Sequence, residues 1–200
     1  MPVLDAKDTI SLLGVIVALG VSIKGIAEYR KAYRWKKAEF LAQEVKSFRQ
    51  DADVKKVLLL LDWTNMPIQF PENGTSEKRE VICTDDLLCS SLIPSDDVEF
   101  NDDETAVRLL FDQYLDKLGM FERYIQAKLI TIDDIRPYLQ YWIDAMCKSN
   151  KNGGRKEQKV IEQLWGFIDK YKFGSVRTLC EEFGHRMPVW KESASAIPHD

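Results

Sequence analysis

TISLLGVIVALGVSI, from Thr9 to Ile23, is the stretch that most constrains the fold of this 200-residue chain, and it contains no charged residue. Counting through Ala27 gives nineteen residues interrupted only by Lys24, whose amine can snorkel toward lipid headgroups. At about 1.5 Å per residue, such a helix is about 28 Å long, close to the thickness of a hydrocarbon core. We therefore expect a transmembrane helix over 9–27, preceded by a short external N-terminus over 1–8.

The residues that flank this stretch predict its orientation. On the N-terminal side, Lys7 is balanced by Asp5 and Asp8, whereas the C-terminal side is rich in cations. The cations expected to contact lipid headgroups are Lys24, Arg30, Lys31, Arg34, Lys36 and Lys37. The positive-inside rule places the N-terminus outside and the bulk of the chain in the cytoplasm. A cleavable signal peptide would carry its cations before the apolar run, so the order of charges excludes one.

Two alternatives to a membrane span remain open for this segment. One is a buried core helix of a soluble protein, and the other is a helix lying flat in the membrane interface. The second alternative requires a polar face, which Thr9 to Ile23 does not have. Gly14, Ala18 and Ser22 repeat at four-residue spacing, a pattern that allows close approach of helices in lipid and favours self-association.

The remainder of the chain has the pattern of a mainly helical domain. No proline occurs over 28–50, and apolar residues there recur every three or four positions, which predicts a basic juxtamembrane helix. A cytoplasmic helical domain is expected over 51–186, and a flexible tail over 187–200. The strongest helical periodicity covers about 102–128, and turn residues between two short apolar runs predict a β-hairpin around 67–83. The fold class is therefore mainly α, with a transmembrane helix continuing into a helical bundle.

Composition and charge narrow the functional classes. The net charge of −4 and a calculated pI of about 5.4 disfavour a nucleic-acid binder, and four cysteines are too few for a disulfide scaffold. The mean hydropathy of −0.29 is that of a soluble protein, because the charged domain dilutes the apolar segment. Residues 24–56 hold ten Lys or Arg against five acids, whereas residues 62–104 hold twelve acids against Lys78 and Arg79. This asymmetry fits a domain beneath an anionic membrane leaflet.

A search for chemistry finds no strong catalytic motif. The four cysteines form no C-x-x-C pair and the chain has two histidines, so neither a metal site nor a cofactor is expected. The stretch Asp97–Arg108 starts like a calcium loop but lacks its central glycine and its final glutamate. The dipeptide Gly153-Gly154 lacks the first half of a phosphate-binding loop. No G-x-S-x-G nucleophile motif occurs.

Arg177 and His185 are the only candidates for catalytic residues. Small helical HEPN-type ribonucleases use an arginine and a histidine separated by four to six residues, whereas seven residues separate this pair. The alternative interpretation places His185 at the negative end of a helix dipole, without a catalytic role.

Two segments resemble a family of uncharacterised bacterial proteins. They are VLLLLDWTNMPIQF, from Val57 to Phe70, and RLLFDQYLDKLGMFERYIQAKLITIDDIRPYLQYWI, from Arg108 to Ile143. In that family, whose domain has no known function, such segments accompany one N-terminal membrane helix and a cytoplasmic helical domain. The resemblance covers about residues 9–148. It implies a bacterial inner-membrane location and supplies no catalytic residue.

Three functional hypotheses follow. The first is a single-pass, membrane-anchored scaffold or interaction module without enzymatic activity, whose partners are lipids and either copies of itself or another membrane or cytoplasmic protein. The second is a homo-oligomeric membrane effector or pore of the kind used in bacterial phage defence. The third is a degenerate HEPN-like ribonuclease carried by Arg177 and His185.

Overall fold

The computed structural model of the chain describes residues 6–71 and 78–186, and it describes the side chains of the first helix from Leu19 onward. Seven α-helices, one short 3-10 helix (Asn150–Asn152) and one two-stranded sheet are the regular elements of this described part. The helices are α1 (Ala6–Gln50), α2 (Ala52–Asp62), α3 (Asp85–Ser91), α4 (Asp102–Gln126), α5 (Ile132–Cys147), α6 (Gln158–Lys170) and α7 (Gly174–Glu182). The strands are β1 (Met66–Pro71) and β2 (Lys78–Cys83). The mainly helical class is thereby confirmed.

The chain divides into two compact units, one ending at Gln43 and the other beginning at Glu44. The described residues of the first unit all belong to α1. The second unit contains the last turns of α1 and the remaining helices and strands. The predicted N-terminus over 1–8 and the predicted tail over 187–200 lie largely or wholly outside the described residues.

Helix α4 is the centre of the second unit because it packs against α2, α3 and α7. Its buried side chains recur every three or four residues, as the sequence predicts. They include Val107, Leu110, Phe111, Tyr114, Leu115, Leu118 and Phe121. The Tyr114 ring is fully buried and lies 6.0 Å from the Phe48 ring, centroid to centroid. One continuous apolar core therefore joins the end of α1 to α4.

Polar side chains define where the helices begin. Asp51 accepts hydrogen bonds from the backbone N–H groups of Asp53 and Val54, each at 3.0 Å. Asn101 and Glu104 form a reciprocal capping box at the start of α4. Such caps satisfy N–H groups that have no partner within the helix.

The hairpin expected around 67–83 is present as β1 and β2, which pair antiparallel with Pro67 opposite Ile82. The alternation along each strand buries Ile68, Phe70 and Val81 on one face. The connecting residues 72–77, which include the turn dipeptide Asn73-Gly74 of the sequence, lie outside the described residues.

Candidate functional site

The first candidate site is the exposed apolar segment of α1. The exposed fraction is 58% for Leu19, 68% for Val21, 67% for Ile23 and 54% for Ile26. At 100° per residue, Val21 lies opposite the face shared by the other three. A helix of a globular protein in water usually hides one apolar face and exposes a polar one. This segment instead exposes large apolar side chains on both faces.

A collar of cations and aromatic rings follows this segment on the same helix. Lys24, Arg30, Lys31, Arg34 and Lys36 are exposed, and Lys37 is half-buried. Exposed aromatic rings stand among them at Tyr29, Tyr33 and Trp35. The pair of Lys24 with Glu28 spans 3.9 Å between highly exposed side chains, so it contributes little stability. The collar therefore presents cations and amphipathic rings to the surroundings.

No helix in the described part of the chain offers an apolar stretch long enough to cross a membrane. The described side chains of α1 begin at Leu19, so they cover the second half of the predicted span. Of the small residues predicted to associate helices, Ser22 is exposed on α1, and the side chains of Gly14 and Ala18 lie outside the described ones.

The two candidate catalytic residues are bonded to different carboxylates. Arg177 of α7 donates to Asp169 of α6 at 2.9 Å, and this bond ties the two helices together. It also donates to Glu181 on its own helix at 3.4 Å. His185 lies 2.7 Å from Asp144 through its Nε2 atom, which ties the end of α7 to α5. Both side chains therefore join helices, and the dipole interpretation of His185 missed its carboxylate partner. Asp144 lies 41 residues before His185, and no local pattern indicates that contact.

Asp144 is the centre of a small hydrogen-bonded cluster. It also accepts from Gln140 at 2.8 Å and from Lys148 at 2.9 Å. Burial raises the pKa of Asp144, but the hydrogen bonds from Lys148, His185 and Gln140 outweigh this effect and hold it below its ordinary value. The carboxylate is therefore ionised at neutral pH and stabilises the junction of α5 with α7.

The cysteines of the domain are buried thiols. Burial raises the pKa of Cys83 to about 11 and also raises the pKa of Cys89. The pKa of Cys147 lies well above its ordinary value because of its hydrogen bond with Cys180 and its burial. A thiol must ionise to act as a nucleophile, so these environments disfavour cysteine chemistry. Among the described side chains, no group of three potential ligands is placed to hold a metal ion.

The Gly153-Gly154 loop has a structural explanation. Gly153 adopts a left-handed φ of 82°, and a Cβ on Gly154 would lie 1.7 Å from the carbonyl oxygen of Lys148. Next to this loop, the buried Lys156 donates to Asp85 at 2.7 Å and to the carbonyl of Trp63 at 2.8 Å. The glycines and the lysine therefore close a turn against α2 and α3.

A groove of about 200 Å³ lies between the hairpin and α4. Its apolar lining includes Phe70 and Leu109, and its rim carries two cations. Lys56 is paired with Asp53 at 2.9 Å, and Arg79 is paired with Asp103. Both cations of the groove therefore already have carboxylate partners.

A second exposed surface, which the sequence did not predict, lies on α2, its C-terminal cap and α5. We call Leu59, Trp63, Tyr138 and Tyr141 the aromatic surface; their exposed fractions are 41%, 55%, 40% and 47%. The Tyr141 hydroxyl donates to Asp62, which joins the two helices at this surface. These residues fall outside the buried stripes of their helices, and that position is the signal that could have identified them. Comparison of the chain with models of protein families, with curated proteins and with solved structures gives no match.

Proposed function

We propose that the chain is a single-pass, membrane-anchored interaction module of the bacterial cytoplasmic membrane. Residues 9–27 form the anchor, residues 1–8 lie outside, and the helical domain lies in the cytoplasm. The observation that carries this proposal is the exposure of large apolar side chains on both faces of α1, at Leu19, Val21 and Ile23. Lipid tails are a surrounding in which such exposure is favourable.

The collar supports the proposed depth and orientation. Trp and Tyr prefer the headgroup level of a bilayer, and cations prefer its cytoplasmic side. Each exposed Lys or Arg near an anionic leaflet contributes about 1 kcal/mol of attraction. Tyr29, Tyr33 and Trp35 are exposed among those cations, so this segment suits the cytoplasmic headgroup layer.

The interaction role is supported by how the domain uses its polar groups. Arg177, His185 and Lys156 are bonded to carboxylates that hold helices or loops together. The aromatic surface, in contrast, leaves Trp63 and Tyr141 largely exposed. Trp, Tyr and Arg are the residues that most often dominate binding energy at protein interfaces. The domain therefore offers a surface for a partner rather than a centre for a reaction.

Membrane fractionation with a charged substitution tests the anchor. The full chain is expected in the membrane fraction after alkaline carbonate washing. Val17→Asp places a charge near the middle of the proposed span, at a cost of about 2.5–3.5 kcal/mol, and is expected to move most of the chain to the soluble fraction. The matched control Val17→Leu is expected to stay with the membrane. Wild-type chain that washes off with carbonate would contradict the anchor.

A second candidate function is a homo-oligomeric membrane effector or pore. It rests on the spacing of Gly14, Ala18 and Ser22, which suits close packing of helices in lipid. This candidate shares the anchor and differs in requiring association within the membrane.

A further inference from the structure

The aromatic surface has the chemistry of a binding site that prefers an acidic partner. Leu59 lies on α2, and Trp63 is the extended residue that caps the C-terminus of that helix. Lys55 is exposed one turn before Leu59, on the same face of α2. Arg49, also exposed, donates through Nη2 to the carbonyl of Tyr138 at 3.4 Å. The Arg155 side chain, 58% exposed, lies beside Asp62 at the end of α2. Three cations therefore lie on or next to the elements that carry the aromatic surface.

The carboxylate that joins α2 to α5 at this surface is already paired. Asp62 accepts from the Tyr141 hydroxyl and pairs with Arg155 at 3.4 Å. Its hydrogen bond also raises the pKa of Tyr141, so that hydroxyl stays protonated. Arg155 thus offsets the charge of Asp62, and Lys55 and Arg49 give the rim of the surface its excess positive charge.

The same chain carries a segment with the opposite character. We call residues 95–100, of sequence SDDVEF, the acidic loop. Asp97, Val98 and Glu99 are exposed, with Val98 at 38%. An apolar side chain between two carboxylates complements an aromatic centre with a cationic rim.

The acidic loop is held in place before any partner arrives. Arg108 donates to the carbonyls of Ser91 at 2.6 Å and Ile93 at 3.1 Å, and its guanidinium lies 3.9 Å from the Phe100 ring centroid. Asp96 pairs with Lys170 at 2.9 Å. Because both ends of the loop are fixed, binding requires little further ordering of the backbone.

We propose that the acidic loop of one copy of the chain docks on the aromatic surface of a second copy. Val98 meets the aromatic centre, and Asp97 and Glu99 meet Lys55 and Arg155. The contact joins two different patches, so it builds a ring or an open chain of copies. This inference rests on the proposed function in one respect, since anchoring in a membrane concentrates the copies that must meet.

Charge-reversed variants of the full chain in detergent micelles test this docking. Sedimentation velocity measures their self-association. The wild type is expected to self-associate, and added salt is expected to weaken the association because its rim is electrostatic. Lys55→Glu/Arg155→Glu and, separately, Asp97→Lys/Glu99→Lys should each weaken it by about tenfold or more, because attraction becomes repulsion. Mixing these two variants should restore a complex of unlike copies. Lys78→Glu, an exposed cation on β2, is the control and should associate like the wild type.

Trp63→Ala provides an independent test, because it removes apolar area from the aromatic surface without changing the charge of the chain. It should also weaken association by about tenfold or more, with the far-ultraviolet spectrum and the membrane fraction unchanged. The proposal is overturned if the wild type is a monomer at about 100 µM, a concentration at which weak complexes form. It is also overturned if the charge-reversed variants associate like the wild type, or if mixing the two variants does not restore a complex. A chain that associates in this way yet washes off membranes would refute the anchor alone.

Discussion

Asp51 shows how one side chain can serve two elements. Its Oδ1 atom caps α2, and its Oδ2 atom accepts from Lys117 of α4. Burial raises the pKa of Asp51, but the hydrogen bond from Lys117 and those from the backbone outweigh it, so the pKa lies below its ordinary value. An aspartate just before a helix is a local pattern, which a sequence can show. The lysine lies 66 residues away, and nothing near Asp51 in the sequence indicates it.

Asp51→Ala is expected to lower the free energy of unfolding by about 1–2 kcal/mol through the lost cap. Asp51→Asn keeps an oxygen acceptor for the cap and loses only the charge, so its effect should be smaller. Denaturant unfolding of the full chain in micelles, followed by tryptophan fluorescence, measures both changes. Equal losses for the two variants would contradict the capping role.

The pH dependence of the same variants has a definite sign. Because the folded pKa is depressed, the charge of Asp51 stabilises the fold above the unfolded pKa, which is near 3.9. That stabilisation is lost as the pH falls through the folded pKa. The advantage of wild type over Asp51→Asn should therefore be present at pH 7 and disappear in strong acid.

At the scale of elements, the helices were predictable wherever periodicity and caps are local. The sequence predicts that helix α4 continues to about Lys128. The helix ends at Gln126, because Lys128 adopts a left-handed φ of 58°. Glycine is the usual residue in that conformation, and its absence here leaves no sign of the helix end in the sequence. Helix α5 contains Pro137 at its sixth position, just after the first turn. The contacts that join elements were not predictable. The pair of Lys156 with Asp85 links residues 71 apart, and such pairs leave no periodic trace.

Helix α1 decides between the anchor and the pore. The pore hypothesis predicts that full chain reconstituted in vesicles releases a trapped ion, and that Gly14→Leu/Ala18→Leu abolishes the release because bulk keeps the helices apart. Ile16→Leu/Ile23→Leu changes the opposite face of the helix and should leave release unchanged. Release that persists in Gly14→Leu/Ala18→Leu would remove the pore hypothesis, whereas a simple anchor predicts vesicles that stay sealed throughout.

At the scale of the whole molecule, average properties conceal two different regions. A mean hydropathy of −0.29 describes neither the apolar segment of α1 nor the charged helical domain. The net charge of −4 likewise combines a basic collar with an acidic loop. The collar could be identified from the sequence because its cations lie within fourteen residues of one helix. For the aromatic surface, the sequence shows only that its residues fall outside the buried stripes. That the end of α2 meets α5 there is seen only in the folded domain.

The topology of the full chain tests the central claim most directly. Single cysteines are introduced at Val3 and at the exposed Lys151, and labelled with a membrane-impermeant maleimide in bacterial spheroplasts; the buried native thiols should contribute little background. A membrane anchor with its N-terminus outside predicts that Val3→Cys is labelled in intact spheroplasts and that Lys151→Cys is labelled only after permeabilisation. Labelling of Lys151→Cys in intact spheroplasts, or protection of both positions until permeabilisation, would contradict the account.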